Sequence, residues 1–105
     1  MAMRWLEMIR LRTTQDKVEG LNNFLFESLR QIGTENGLVE ARVLANITFQ
    51  GDLAMNILWN TPLADHRGSR AGLGIAQALR TFGLVEHSIW MENGAHSECA
   101  PVARA

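Results

Sequence analysis

Trp5-Leu6-Glu7-Met8-Ile9-Arg10-Leu11 is apolar on both sides of an extended chain. Side chains alternate across a strand, so Trp5, Ile9 and Leu11 point one way and Leu6 and Met8 the other. A sheet with helices on one side needs a single apolar face. A second apolar face asks for a partner, most simply a second copy of the chain. At 105 residues the chain is one domain. A domain of that size buries only about two-thirds of its unfolded surface, so burial between copies is a substantial gain.

Outward from this strand, over residues 4–12, the pattern changes period. Thr13 precedes Asp16 by three, a relative of the capping box that favours a helix start. Val18, Leu21, Leu25, Leu29 and Ile32 then recur at helical spacing as far as Gly33, and Phe24 and Phe26 widen the stripe. After turn residues 33–37 a second strand is expected from Leu38 to about Phe49, with Val39, Ala41, Val43, Ala45 and Ile47 on one face. Gln50-Gly51-Asp52 reads as a hairpin turn into a third strand, Leu53 to Asn60, which Thr61-Pro62 ends. A second helix is expected from Asp65 or Ser69 to Phe82, with Leu73, Ala76 and Leu79 as one stripe and Gly83 ending it. Gly72 and Gly74 either weaken its first turns or allow a close approach to the sheet or a ligand. Leu84 to Met91 is the fourth strand.

The order β-α-β-β-α-β is the split βαβ arrangement of ferredoxin-like α+β domains. Two helices cover one face of a four-stranded antiparallel sheet, in strand order 4-1-3-2. The domain is expected over residues 1–93, with a flexible tail over residues 94–105. The other sheet face carries Leu6, Met8, Leu44, Leu58 and Trp90, so a homodimer through that face is expected. Arg10, Glu40, Arg42, Asn46, Asn56 and Glu86 share it and make the interface mixed.

Composition removes several classes of function. The net charge of −1 leaves no basic footprint for nucleic acid. The longest apolar runs fall far short of the ~20 residues that span a bilayer, so no membrane partner is expected. Residues 1–5 lack a secretory apolar segment. The single cysteine, Cys99, forms no internal disulfide and suits a reducing cytoplasm. It lies in a polar stretch without a nearby base and reads as a bystander.

Three stretches carry a resemblance: residues 5–12, the hairpin Arg42-Val43-Leu44-Ala45 with Asn56-Ile57-Leu58-Trp59, and Glu86-His87-Ser88-Ile89-Trp90-Met91-Glu92. With the element order, they make residues 4–93 resemble the dimeric α+β barrel superfamily, and within it the antibiotic-biosynthesis-monooxygenase group. That superfamily includes cofactor-independent oxygenases of phenolic or quinol-like substrates, haem-degrading enzymes and stress-related proteins. The resemblance implies a pocket between the helices and the sheet of each subunit. Haem-degrading members use an Asn on the first strand, a Trp on the third and a His on the second helix. Here Trp59 stands at the Trp position, but Glu7 replaces the Asn and His66 falls near the helix start, so haem breakdown is not carried over.

Glu7 alternates with Trp5 and Ile9 and therefore faces the helices, where a charge is costly unless paired. His87 shares the face of Val85 and Ile89, on the strand expected beside the first. A Glu-His pair inside an apolar pocket can serve as a general base with an orienting partner. Removing a phenolic proton yields an anion that reacts with oxygen, so this pair and the resemblance together imply a cofactor-independent monooxygenase, or a related enzyme, acting on a small aromatic molecule. Trp5 and Trp59 would wall its site, Met55 would lie alongside, and His66, beside Arg67 and Arg70, would reach over the mouth. Glu7, His66 and His87 lack close metal-ligand spacing, and Gly72-Leu73-Gly74 is not a dinucleotide fingerprint, so no metal or cofactor is expected. The rival reading is a non-catalytic dimeric binding or stress-related module whose pocket is filled by Trp5, Trp59, Met55 and Met91. An open cavity of ~300 Å³ or more separates the two.

Overall fold

A computed structural model describes residues 4–62 and 66–91. The elements are β1 (Arg4–Arg12), α1 (Gln15–Ile32), β2 (Leu38–Ala45), β3 (Asp52–Asn60), α2 (Arg70–Leu79) and β4 (Leu84–Met91). All pairings are antiparallel and the sheet order is β2-β3-β1-β4. This is the ferredoxin-like α+β arrangement read from the sequence. The tail expected over residues 94–105, with His96 and Cys99, lies outside the described residues, as does Asp65.

The period-two pattern sorts β1 as expected. Trp5, Glu7, Ile9 and Leu11 are buried, while Leu6, Met8 and Arg10 are half-buried. Register then fixes the inward face of the neighbours: Trp5 lies opposite Trp59 and Met91, Glu7 opposite Ile57 and Ile89, and Ile9 opposite Met55 and His87. Leu21, Leu25 and Ile32 of α1 and Ile75, Ala76 and Leu79 of α2 close over this face as the core. Burial of a side chain of this size contributes about 1.5–3 kcal/mol. Phe24 and Phe82 meet with ring centroids 6.2 Å apart and tie α1 to the turn after α2.

The opposite sheet face has no described element over it. Leu44 and Trp90 are 43% and 57% exposed there, and Leu6, Met8 and Leu58 are half-buried. Arg42 pairs with Glu40 on the same face. Among the described residues no helix is long and apolar enough to cross a membrane.

Local chemistry moves several boundaries. β2 stops at Ala45 rather than Phe49, because Asn46 Oδ1 accepts from the Thr48 and Phe49 amides (2.7 and 3.2 Å) and closes a side-chain turn. Ile47 is consequently fully exposed and joins no face. A register shift between Leu38 and Glu40 breaks the alternation and leaves Val39 46% exposed. Asp52 opens β3 instead of ending the turn. In α1 the N-cap is Thr14, since the Thr13 hydroxyl instead donates to the Phe82 carbonyl at 2.5 Å. Phe26 points outward, 68% exposed. α2 is shorter than expected: Ser69 caps it by accepting from Gly72 N–H at 2.8 Å, and Arg80–Phe82 form a turn before Gly83.

Candidate active site

Glu7 is the most completely enclosed polar group of the inward face, with no exposed surface. Four donors surround its carboxylate. Trp59 Nε1–H and Ser69 Oγ–H donate to Oε1 at 3.0 and 2.7 Å. Ser69 N–H donates to Oε2 at 3.0 Å, and His87 Nε2 lies 2.6 Å from the same oxygen. With its proton on Nε2, His87 is the donor. These partners stand 52, 62 and 80 positions from Glu7 in the chain and arrive from β3, the α2 cap and β4.

Helix α2 explains why a carboxylate is held here. Its first turn contains no acidic residue, and the amide of its N-cap, Ser69, donates to Glu7. The positive end of the helix dipole favours an anion at that place, and β1 supplies it. Two glycines permit the approach. A Cβ on Gly72 would fall 2.0 Å from Glu7 Oε2, and one on Gly68 2.2 Å from the same atom and 2.9 Å from His87 Nε2. Gly68 also has φ +111°, where a side chain is strained. Gly72 therefore serves the close approach to the sheet. Gly74, with open space around it, has no such reason.

Beside this cluster lies a cavity of about 680 Å³ between the ends of β1 and β3, the α1–β2 turn and the start of α2. Trp5 and Trp59 line it with their rings stacked, centroids 5.9 Å apart at 24°. Trp5 is held by its indole N–H, which donates to the Thr61 carbonyl at 3.1 Å. Leu73 faces the cavity rather than the core, and Glu35, Arg67 and Arg70 bring charge to its wall. Gly68, Ser69 and Trp59 belong to both cavity wall and carboxylate shell.

The structure thus brings Glu7, His87, Trp5 and Trp59 together. Met55 is only 1% exposed and packs in the core, away from the cavity lining, because it precedes Trp59 on β3 and the cavity lies at the strand's far end. His66 is exposed and does not line the cavity. Gly68 and Ser69 are not among the site residues expected from the sequence, where Ser69 stands only as a helix start. Among the described residues, no three His, Cys, Asp or Glu side chains gather as metal ligands would.

No family model and no curated protein sequence matches the chain. Solved structures do. A conserved protein from Methanosarcina mazei Go1 superposes with a TM-score of 0.72 at 17% identity, over 87% of this chain and 94% of its own. A variant of SnoaB, a cofactor-independent oxygenase from Streptomyces nogalater, gives 0.67 at 16% identity, over 92% and 100%. A Deinococcus radiodurans protein, provisionally assigned as an antibiotic biosynthesis monooxygenase, gives 0.70 at 12% identity, over 89% and 96%. The chain shares its ferredoxin-like fold with these structures, several of them provisionally assigned as antibiotic biosynthesis monooxygenases. Identities this low establish the fold and leave the chemistry to the site.

Proposed function

We propose that the chain is a cofactor-independent monooxygenase of a small phenol- or quinol-like molecule, working as a homodimer. One observation carries this reading: a cavity walled by two stacked indoles adjoins a buried Glu7–His87 pair. Trp5 and Trp59, each 4% exposed, form an apolar floor to that cavity against which an aromatic ring can rest. Glu7 takes the phenolic proton, and His87 orients the carboxylate. The resulting anion reacts with dioxygen: one oxygen atom enters the ring as a quinone oxygen, the other leaves as water, and the phenol supplies the electrons. SnoaB, which shares the fold, is a cofactor-independent oxygenase, and this supports the same class of reaction here. The open face with Leu6, Met8, Leu44, Leu58 and Trp90 is the proposed dimer contact.

The test is oxygen uptake with a panel of phenols and quinols, in the presence of a chelator and with no added cofactor. Uptake by the wild type and its loss in Glu7→Gln, with the circular dichroism spectrum intact, supports the reading. Uptake unchanged in that variant removes Glu7 from the mechanism. A second reading draws on the full enclosure of Glu7, which also suits a structural charge. In that case the protein is a dimeric ligand-binding or stress-related module, and aromatic ligands bind without oxygen uptake.

A further inference from the structure

The carboxylate that should take the proton has no surface in the cavity that should hold the substrate. Glu7 is wholly enclosed, and the wall between it and the cavity consists of Trp59, Gly68 and Ser69. The indole N–H of Trp59 donates only, as does the backbone N–H of Ser69, and Gly68 has no side chain. The Ser69 hydroxyl alone among these groups can both accept a proton and pass one on. Its hydrogen is already directed at Glu7 Oε1, 2.7 Å away. One of its lone pairs receives Gly72 N–H, and the other has no partner among the described residues. We infer that Ser69 is the proton relay between a bound hydroxyl-bearing aromatic molecule and Glu7.

The inference rests on the proposed function. In the relay step the substrate O–H breaks and its proton joins Ser69 Oγ. The proton already on Oγ moves to Glu7 Oε1, leaving the serine neutral, the carboxyl protonated and the substrate an anion. His87 keeps its contact with Oε2 and is the member of the pair with residual exposure, 8% against 0%. The helix cap thus doubles as the gate through which the buried base is reached. The capping bond also holds Oγ in one orientation, since it consumes the lone pair facing the helix.

Binding of para-nitrophenol tests this without requiring turnover, because its phenolate is coloured and its phenol is not. The probe is added to the whole protein in buffer below its own ionisation midpoint, and binding is followed separately by quenching of tryptophan fluorescence. The expected result, followed in time after rapid mixing, is fast appearance of phenolate on the wild type and on Ser69→Thr, and appearance at least tenfold slower on Ser69→Asn and Ser69→Ala with the rate of binding kept. Ser69→Asn retains an acceptor for Gly72 N–H, so slower ionisation there is not loss of the cap. Phenolate appearing on Ser69→Asn at the wild-type rate, together with its loss in Glu7→Gln, overturns the relay and leaves Glu7 as a direct base. Phenolate persisting in Glu7→Gln overturns the proposed base as well, and a wild type that leaves the bound probe neutral overturns both.

Discussion

Glu7 on β1 and Asp52 on the adjacent β3 are both buried carboxylates, 0% and 5% exposed, yet they are built for different ends. Asp52 accepts a two-pronged pair from Arg10, at 3.0 and 2.8 Å, and a further bond from Asn46 at 3.1 Å. A guanidinium does not give up its proton and an amide does not take one, so that cluster is a fixed strut between the hairpin and β1. Glu7 has, among its four donors, a serine hydroxyl and an imidazole, groups that move protons, and it lies beside a cavity. The comparison teaches that burial of a charge does not distinguish scaffold from site. The proton chemistry of its partners does.

The largest expected difference is in turnover. Glu7→Gln should lower kcat/KM on a phenolic substrate by about 10²–10⁴-fold. Asp52→Asn should leave it within about twofold, because the two carboxylates share no hydrogen-bond partner. Steady-state oxygen uptake reads both, and equal losses would erase the distinction.

Stability comes next. Gly72→Ala should cost about 3 kcal/mol, since its methyl group meets a carboxylate pinned by four donors. Gly74→Ala, two residues on in open space, should instead stabilise by about 0.5–1 kcal/mol. Urea unfolding of the pair is a direct check, and shifts of the same sign would count against the carboxylate cradle. Trp59→Phe keeps an aromatic wall but removes one donor to Glu7, with an expected cost of about 1.5–2 kcal/mol in the same assay.

The smallest effect is confined to acid. Hydrogen bonding from Arg10 holds the Asp52 carboxyl below the ordinary carboxylate range, against the opposing effect of burial and with help from Asn46. The unfolded chain therefore takes up that proton first. The stabilisation is complete above the ordinary range and is lost as pH falls through the depressed folded value. Stability measured against pH should drop less steeply in acid for Asp52→Asn than for the wild type, and parallel curves would show that the strut carries no such linkage.

Much of the fold was legible because its signals are local. The two-residue period of β1 and β3, the helical stripe through Leu21, Leu25 and Ile32, and the order of elements need only near neighbours. The inward placement of Glu7 and His87 follows from the same alternation. Parity identifies a face but not a depth along the strand, which is why Met55 was grouped with Trp59 although the cavity opens at the other end of β3. The end of β2 was hidden because an asparagine side chain, rather than a glycine or proline, makes the turn. Ser69 was visible as a cap, but its bond to a strand 62 residues away has no signature in the sequence. The clue that could have exposed it is a helix start lacking its own acidic residue beside glycines at 68 and 72.

The wide spacing of Glu7 from its partners bears on how the chain comes into being. A ribosome makes Glu7 before any of these partners: the indole that bonds it follows 52 residues later, the serine 62 and the imidazole 80. Until then a carboxylate in the middle of an apolar strand has nothing to offset its desolvation, so β1 gains little by collapsing early. Folding is expected to wait for the last strand and then proceed in one cooperative step, at the slower pace of topologies dominated by distant contacts.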